Sequence, residues 1–180
     1  MSRRMPHFNR ESLEVELPKL DIRYLWMKEL GGRRKKIRDD SPNGGLRNDS
    51  FRNYADYMLT PEFEKAIERL LELARDTANP STHPTLSRNS GEEDGGPMVT
   101  ADGVSGHSRG SGHVAIMCAE RVYFQCHRML VSDYLTAHGN TVLHIDDEKH
   151  APRPHKLMAE AHLGEGKLIY NALELFPGDM

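Results

Sequence analysis

Val114–Ile145 reads VAIMCAERVYFQCHRMLVSDYLTAHGNTVLHI, and this stretch decides the expected fold. Val114-Ala115-Ile116-Met117-Cys118 is a continuous apolar run, the pattern of an interior strand covered on both faces. A helix is predicted from about Cys126 to His138. Met129, Leu130, Asp133, Tyr134 and Ala137 set its spacing, and Gly139 sits where a left-handed cap would end it. Thr141-Val142-Leu143-His144-Ile145 then reads as a second strand. Strand, helix, strand at this length is a βαβ unit, which implies a parallel sheet and a right-handed crossover. The class predicted is α/β.

The rest of the chain is read around that unit. Upstream, His7 to Leu20 reads as a loop and a short helix, with Asn9 or Ser12 as cap and Leu13 and Leu17 on the inner side until Pro18. Ile22-Arg23-Tyr24-Leu25-Trp26-Met27 is aromatic and branched and predicts a buried strand. Phe51 to Leu59 predicts a short helix with Phe51, Tyr54 and Met58 together. Thr60, Pro61, Glu62 and Glu64 form a helix start. Phe63, Ala66, Ile67, Leu70, Leu71 and Ala74 then fall on a single apolar face. From Ala78 to Gly112, Gly, Ser, Pro, Asn and acidic residues dominate without apolar period. Such a segment cannot bury enough surface to offset its ordering entropy, so it reads as a disordered insertion within one domain covering 1–180. Ala161–Leu163 and Lys167–Tyr170, joined by Gly164-Glu165-Gly166, read as a C-terminal hairpin over 161–170.

Composition narrows the function classes. The chain has 180 residues, 37% apolar and 28% charged, which suits one soluble domain with an unstructured part. A net charge of −3 argues against nucleic acid and anionic membrane as partners, although Arg33–Arg38 is locally basic. No apolar run approaches a membrane span, and two cysteines form no disulfide framework, so a cytoplasmic location is expected. Nothing fixes the oligomeric state.

The strand-to-helix step carries the candidate chemistry. Ligands of open α/β sheets bind beyond the carboxyl ends of strands, which is where Cys118 falls. Cys126, His127 and Arg128 open the next helix, whose unpaired N–H groups favour anions and thiolates. Arg128 adds a forked donor, and Glu120 is placed to orient it or to act as a base. The expected catalytic set is therefore Cys118, Glu120, Cys126, His127 and Arg128. The same cysteines also fit buried structural thiols, and Glu120 with Arg128 a plain ion pair. Neither the spacing of a structural zinc site nor a cofactor fingerprint is present, so no metal and no cofactor is expected. A second candidate is Gly31-Gly32-Arg33-Arg34, where glycines admit close approach and arginines hold phosphate. With Asn9 and the aromatic Tyr54 it forms the expected ligand-binding set; a solvated basic loop and core aromatics are the plain alternative.

Five segments carry a family resemblance. They are PHFN (Pro6–Asn9), IRYLWMKELGGRR (Ile22–Arg34), FRNYADYM (Phe51–Met58), VAIMCAE (Val114–Glu120) and CHRMLVSDYL (Cys126–Leu135). In this order they resemble the uncharacterised bacterial domain-of-unknown-function family 488. The resemblance implies a Rossmann-like three-layer arrangement with a mostly parallel sheet. It maps the family's hallmark cysteines to Cys118 and Cys126, and recurring polar positions to Asn9, Gly32, Arg33, Glu120, His127 and Arg128. It implies no activity. Family members begin with a strand, a helix and a second strand that have no counterpart here, so an N-terminally truncated version of the fold is expected.

Three functions follow as expectations. The first is a thiolate enzyme using Cys118, with Cys126 resolving, on a small anionic or nucleotide-like substrate. The second is a non-catalytic module that binds nucleotides or phosphate ligands through Arg33, Arg34 and Arg128. The third, disfavoured by the net charge, is association with nucleic acid through the basic run.

Overall fold

The computed structural model of the chain describes residues 6–78 and 113–171. The predicted insertion, apart from its first residue, lies outside the described residues. Contacts divide the chain into one unit of Met1–Glu68 with Ile116–Met180 and a second of Arg69–Ala115.

Four helices and four short strands are described: α1 (Arg10–Glu16), α2 (Asp49–Met58), α3 (Pro61–Ala78), α4 (Arg128–Ala137), β1 (Leu143–His144), β2 (Arg153–Pro154), β3 (Ala161–Gly164) and β4 (Lys167–Tyr170). Local chemistry accounts for the helix ends. The Asn48 side chain accepts from Ser50 N at 2.8 Å and caps α2. Thr60 caps α3, its Oγ1 accepting from Phe63 N at 3.4 Å and Pro61 taking the first helical position. After α4 the chain turns at Gly139, whose φ of 80° is the left-handed cap conformation, while Asn140 N reaches back to Leu135 O at 2.9 Å. Pro18 does not simply break the first helix; α1 ends before it and a 3-10 turn, Leu17–Leu20, continues through it.

The expected mostly parallel, Rossmann-like sheet is overturned. Among the described residues there are two antiparallel two-stranded pieces, β1 with β2 and β3 with β4. Leu143 pairs with Pro154 and His144 with Arg153, so the strand after α4 meets a downstream partner running the other way. Val114–Cys118 and Ile22–Met27 lie in neither helix nor strand and join no ladder. The reason is physical: an apolar, branched run says only that a segment suits a pleated, half-covered surface, and a strand also needs a neighbour for its N–H and C=O groups. Without one the first run stays partly in water, with Val114 39% and Met117 45% exposed. A βαβ crossover accordingly has no parallel strand to reach. The hairpin is found where expected, over Ala161–Tyr170, with Glu165 and Gly166 both at positive φ in a two-residue turn.

The core is aromatic and lies between α2, the start of α3, α4 and β4. Tyr54, Met58, Phe63, Leu130, Val131, Leu168 and Tyr170 are fully or almost fully buried. Phe63 meets Tyr54 and Tyr134 edge-on, at centroid distances of 6.2 and 5.1 Å. Each such side chain contributes about 1.5–3 kcal/mol by leaving water.

Buried polar groups stitch the N-terminal and C-terminal parts together. Asp56 accepts from Ser41 Oγ at 2.6 Å and from Asn43 Nδ2 at 2.8 Å, and Asn43 Oδ1 accepts from Tyr170 N at 2.9 Å. Among the described residues no helix is long and apolar enough to cross a membrane.

Candidate functional site

Cys118 closes the extended run, and Cys126 lies two residues before α4. The seven residues between them fold back through a 3-10 turn at Tyr123–Gln125, and Cys126 N donates to Tyr123 O at 3.2 Å. That loop brings the two sulfurs together. The donor atoms of Cys118, Cys126 and His127 all lie within 4.8 Å of one another. Cys126 is 5% exposed, and Cys118 is half-buried.

Hydrogen-bond donors converge on the Cys126 sulfur. Arg128 Nε donates to Sγ at 3.1 Å and Arg128 N at 3.4 Å, and the Cys118 sulfur lies within 4.8 Å of it. The Cys126 thiol is consequently pulled down to about 6, by the Cys118 hydrogen bond first and then by Arg128, against the opposing effect of burial. Cys118 moves the other way, because it holds the proton shared with Cys126 and is itself partly desolvated. Both Arg128 donors face Cys126, so they favour the negative charge on that sulfur over Cys118.

Arg128 is positioned by the loop it closes. Its Nη2 donates to Glu120 O at 2.5 Å and to Arg121 O at 3.2 Å. Glu120 thus orients Arg128 through its backbone carbonyl, while its own N–H approaches Cys118 Sγ at 3.5 Å. An open hollow of about 320 Å³ lies in front, lined by Phe8, Met117, Cys118, Glu120, Arg121 and Arg128 among others. Two arginines against one glutamate give it a positive bias.

The second candidate set meets this site at His127. Its ring packs against Tyr54, centroids 5.4 Å apart, and against the backbone of Gly32. A Cβ at Gly32 would overlap the imidazole, with Cγ only 2.7 Å away, so the glycine admits the histidine's own ring. Burial, together with the charges of Arg128 and Arg34, pushes His127 down to about 4 and keeps it neutral. Arg34 stacks on Tyr57 at 3.8 Å and donates to Glu29 O. Tyr54 is a core residue whose hydroxyl donates to Leu30 O at 3.0 Å. Gly31 N donates to Lys28 O, ending a 3-10 turn. Arg33 is exposed, and Asn9 stands at the N-cap position of α1, next to Phe8 of the hollow.

Cys118, Cys126 and His127 are also the described group with a geometry open to a metal ion. The guanidinium touching Cys126 Sγ would stand beside that ion, and its charge is better matched to a bare thiolate.

A second polar cluster escaped the sequence reading. Asp133, whose side chain is 0% exposed, accepts from His155 Nε2 at 2.8 Å, Met158 N at 3.1 Å and Tyr170 Oη at 3.1 Å. His155 Nδ1 contacts His144 Nε2 at 2.8 Å, and the His144 ring lies flat on Tyr123, 3.4 Å between centroids. One signal was legible. Asp133 sits on the inner face of α4 with Leu130 beside it, and a carboxylate there needs partners.

Residues 1–80 match the model of one family, described as Domain of unknown function DUF488. The matched span contains the PHFN, IRYLWMKELGGRR and FRNYADYM segments and stops before Cys118. No curated protein and no solved structure matches the chain.

Proposed function

Starting from a chain whose first 80 residues match the DUF488 family model, we propose that it is a thiol-dependent enzyme centred on the Cys118–Cys126 pair. One observation carries the reading: two donors of Arg128, Nε at 3.1 Å and the backbone N–H at 3.4 Å, converge on Cys126 Sγ. A thiolate is the nucleophilic form of cysteine, and electrostatic stabilisation supplies it at neutral pH without a separate base. Cys126 Sγ is the nucleophile: it bonds to the electrophilic atom of the substrate, the bond from that atom to the leaving group breaks, and the Cys118 thiol, on the wall of the hollow, gives its proton to the leaving group. This reverses the roles expected from the sequence, where Cys118 stood as nucleophile. The positive bias from Arg121 and Arg128, with Phe8 as an apolar wall, suits a small anionic substrate.

The non-catalytic binding reading finds less support. Arg34 spends its stacking face on Tyr57, and Tyr54 is buried with its hydroxyl engaged, so neither offers itself to a base.

The test is an ultraviolet thiolate titration of the wild type and of Cys126→Ser, with alkylation at each cysteine followed by mass spectrometry. The expected result is one thiolate forming near 6, lost in Cys126→Ser. Two ordinary thiol titrations in the wild type overturn the proposal.

A further inference from the structure

We propose that Asp133, His155, His144 and Tyr123 form a positioning chain that holds the loop between the two cysteines, and through it Arg128, against the Cys126 sulfur. This rests on the thiolate reading above and deepens it.

The chain begins at a group with a fixed direction of donation. Met158 N has only a proton to offer, and it shares Oδ1 of Asp133 with His155, so that oxygen accepts from both. With Asp133 ionised and a single proton on the His155 ring, that proton lies on Nε2 and Nδ1 presents a lone pair, to which His144 Nε2 donates across 2.8 Å. Both tautomers and both ring planes follow from one buried carboxylate. The last plane is printed onto Tyr123, whose ring lies 7° from that of His144.

Tyr123 is the residue by which the loop is anchored. Its neighbours Phe124 and Gln125 are exposed, whereas His144 is 8% exposed and His155 9%. The same loop supplies Glu120 O and Arg121 O to Arg128, and Tyr123 O receives Cys126 N. Helix α4 thus grips the loop twice. Arg128 at its start binds the loop's carbonyls, and Asp133, one and a half turns on, reaches the loop's aromatic through two histidines. Apolar side chains in place of the histidines would cover Tyr123 as well and would avoid burying polar atoms. What they would not set is the angle of its ring, and with it the place of the carbonyls that aim Arg128.

The test compares Tyr123→Leu, Tyr123→Phe and His144→Gln in the full chain, each confirmed as folded by a cooperative melt. In Tyr123→Leu and His144→Gln the Cys126 thiolate should titrate about one unit higher than in the wild type, as Arg128 drifts from the sulfur. Tyr123→Phe keeps the ring and should titrate as the wild type. If His144→Gln does not fold, the two Tyr123 variants decide. Wild-type titration in Tyr123→Leu overturns the chain. A trivalent arsenical that bridges two nearby thiols supplies a readout independent of ionisation. It should close on the wild type and Tyr123→Phe, and several-fold more slowly on Tyr123→Leu. If the wild-type thiolate itself titrates normally, the enzyme proposal fails. The arsenical comparison then still decides whether the chain holds the loop, and equal rates in all three proteins refute it.

Discussion

Arg128→Ala is the sharpest perturbation of the site. It removes the Nε donor 3.1 Å from Cys126 Sγ and the positive charge, but leaves the backbone N–H at 3.4 Å and the Cys118 thiol in place. A hydrogen bond to a charged group contributes about 1.5–3 kcal/mol, and one pKa unit corresponds to about 1.4 kcal/mol. The Cys126 thiol, held at about 6 in the intact site, should therefore rise by about one to two units. At neutral pH its ionised fraction would fall from about nine-tenths to between about a half and a tenth. Alkylation of Cys126, followed against pH by mass spectrometry alongside the ultraviolet titration, should slow about two- to tenfold. Arg128→Lys should fall between, because a lysine restores the charge without the fork that spans sulfur and carbonyls. An unchanged midpoint in Arg128→Ala would refute the reasoning, since no other side-chain cation is hydrogen-bonded to the sulfur among the described residues.

Two further outcomes are expected. Gly32→Ala should destabilise by about 1–3 kcal/mol in a urea titration, because the new methyl overlaps the His127 ring; a wild-type midpoint would show that the ring has room to move. Acidification should lower the melting temperature through His127 and His144, both pushed down to about 4 by burial. The unfolded chain takes up these protons at about pH 6.5 and the folded one only near 4. Stability is thus fully present above the unfolded value and is lost as pH falls through that window. A melting temperature flat from about pH 7 to about pH 5 would contradict the neutral burial of both rings.

What the chain's own letters determined were the features that depend on neighbours in sequence. The cap at Thr60 acts over three residues, the apolar face of α3 over one helical period, and Gly139 and the Glu165–Gly166 turn through local backbone conformation. The grouping of Cys118 with Cys126, His127 and Arg128 was legible for the same reason, since a short loop can bring its two ends together. The sheet was not legible. Val114–Cys118 has the composition of a strand, yet pairing requires a partner edge whose position no local pattern encodes, and β1 pairs antiparallel with a segment nine residues downstream. Which sulfur holds the charge was equally undecided until Arg128 Nε was placed 3.1 Å from Cys126, because a pKa is set by the donors that actually converge. The network from Asp133 to Tyr123 joins residues scattered over 123–170, separated by turns of irregular length. Only the tertiary structure brings them together, since a buried carboxylate must be satisfied by whatever donors the folded chain delivers to it.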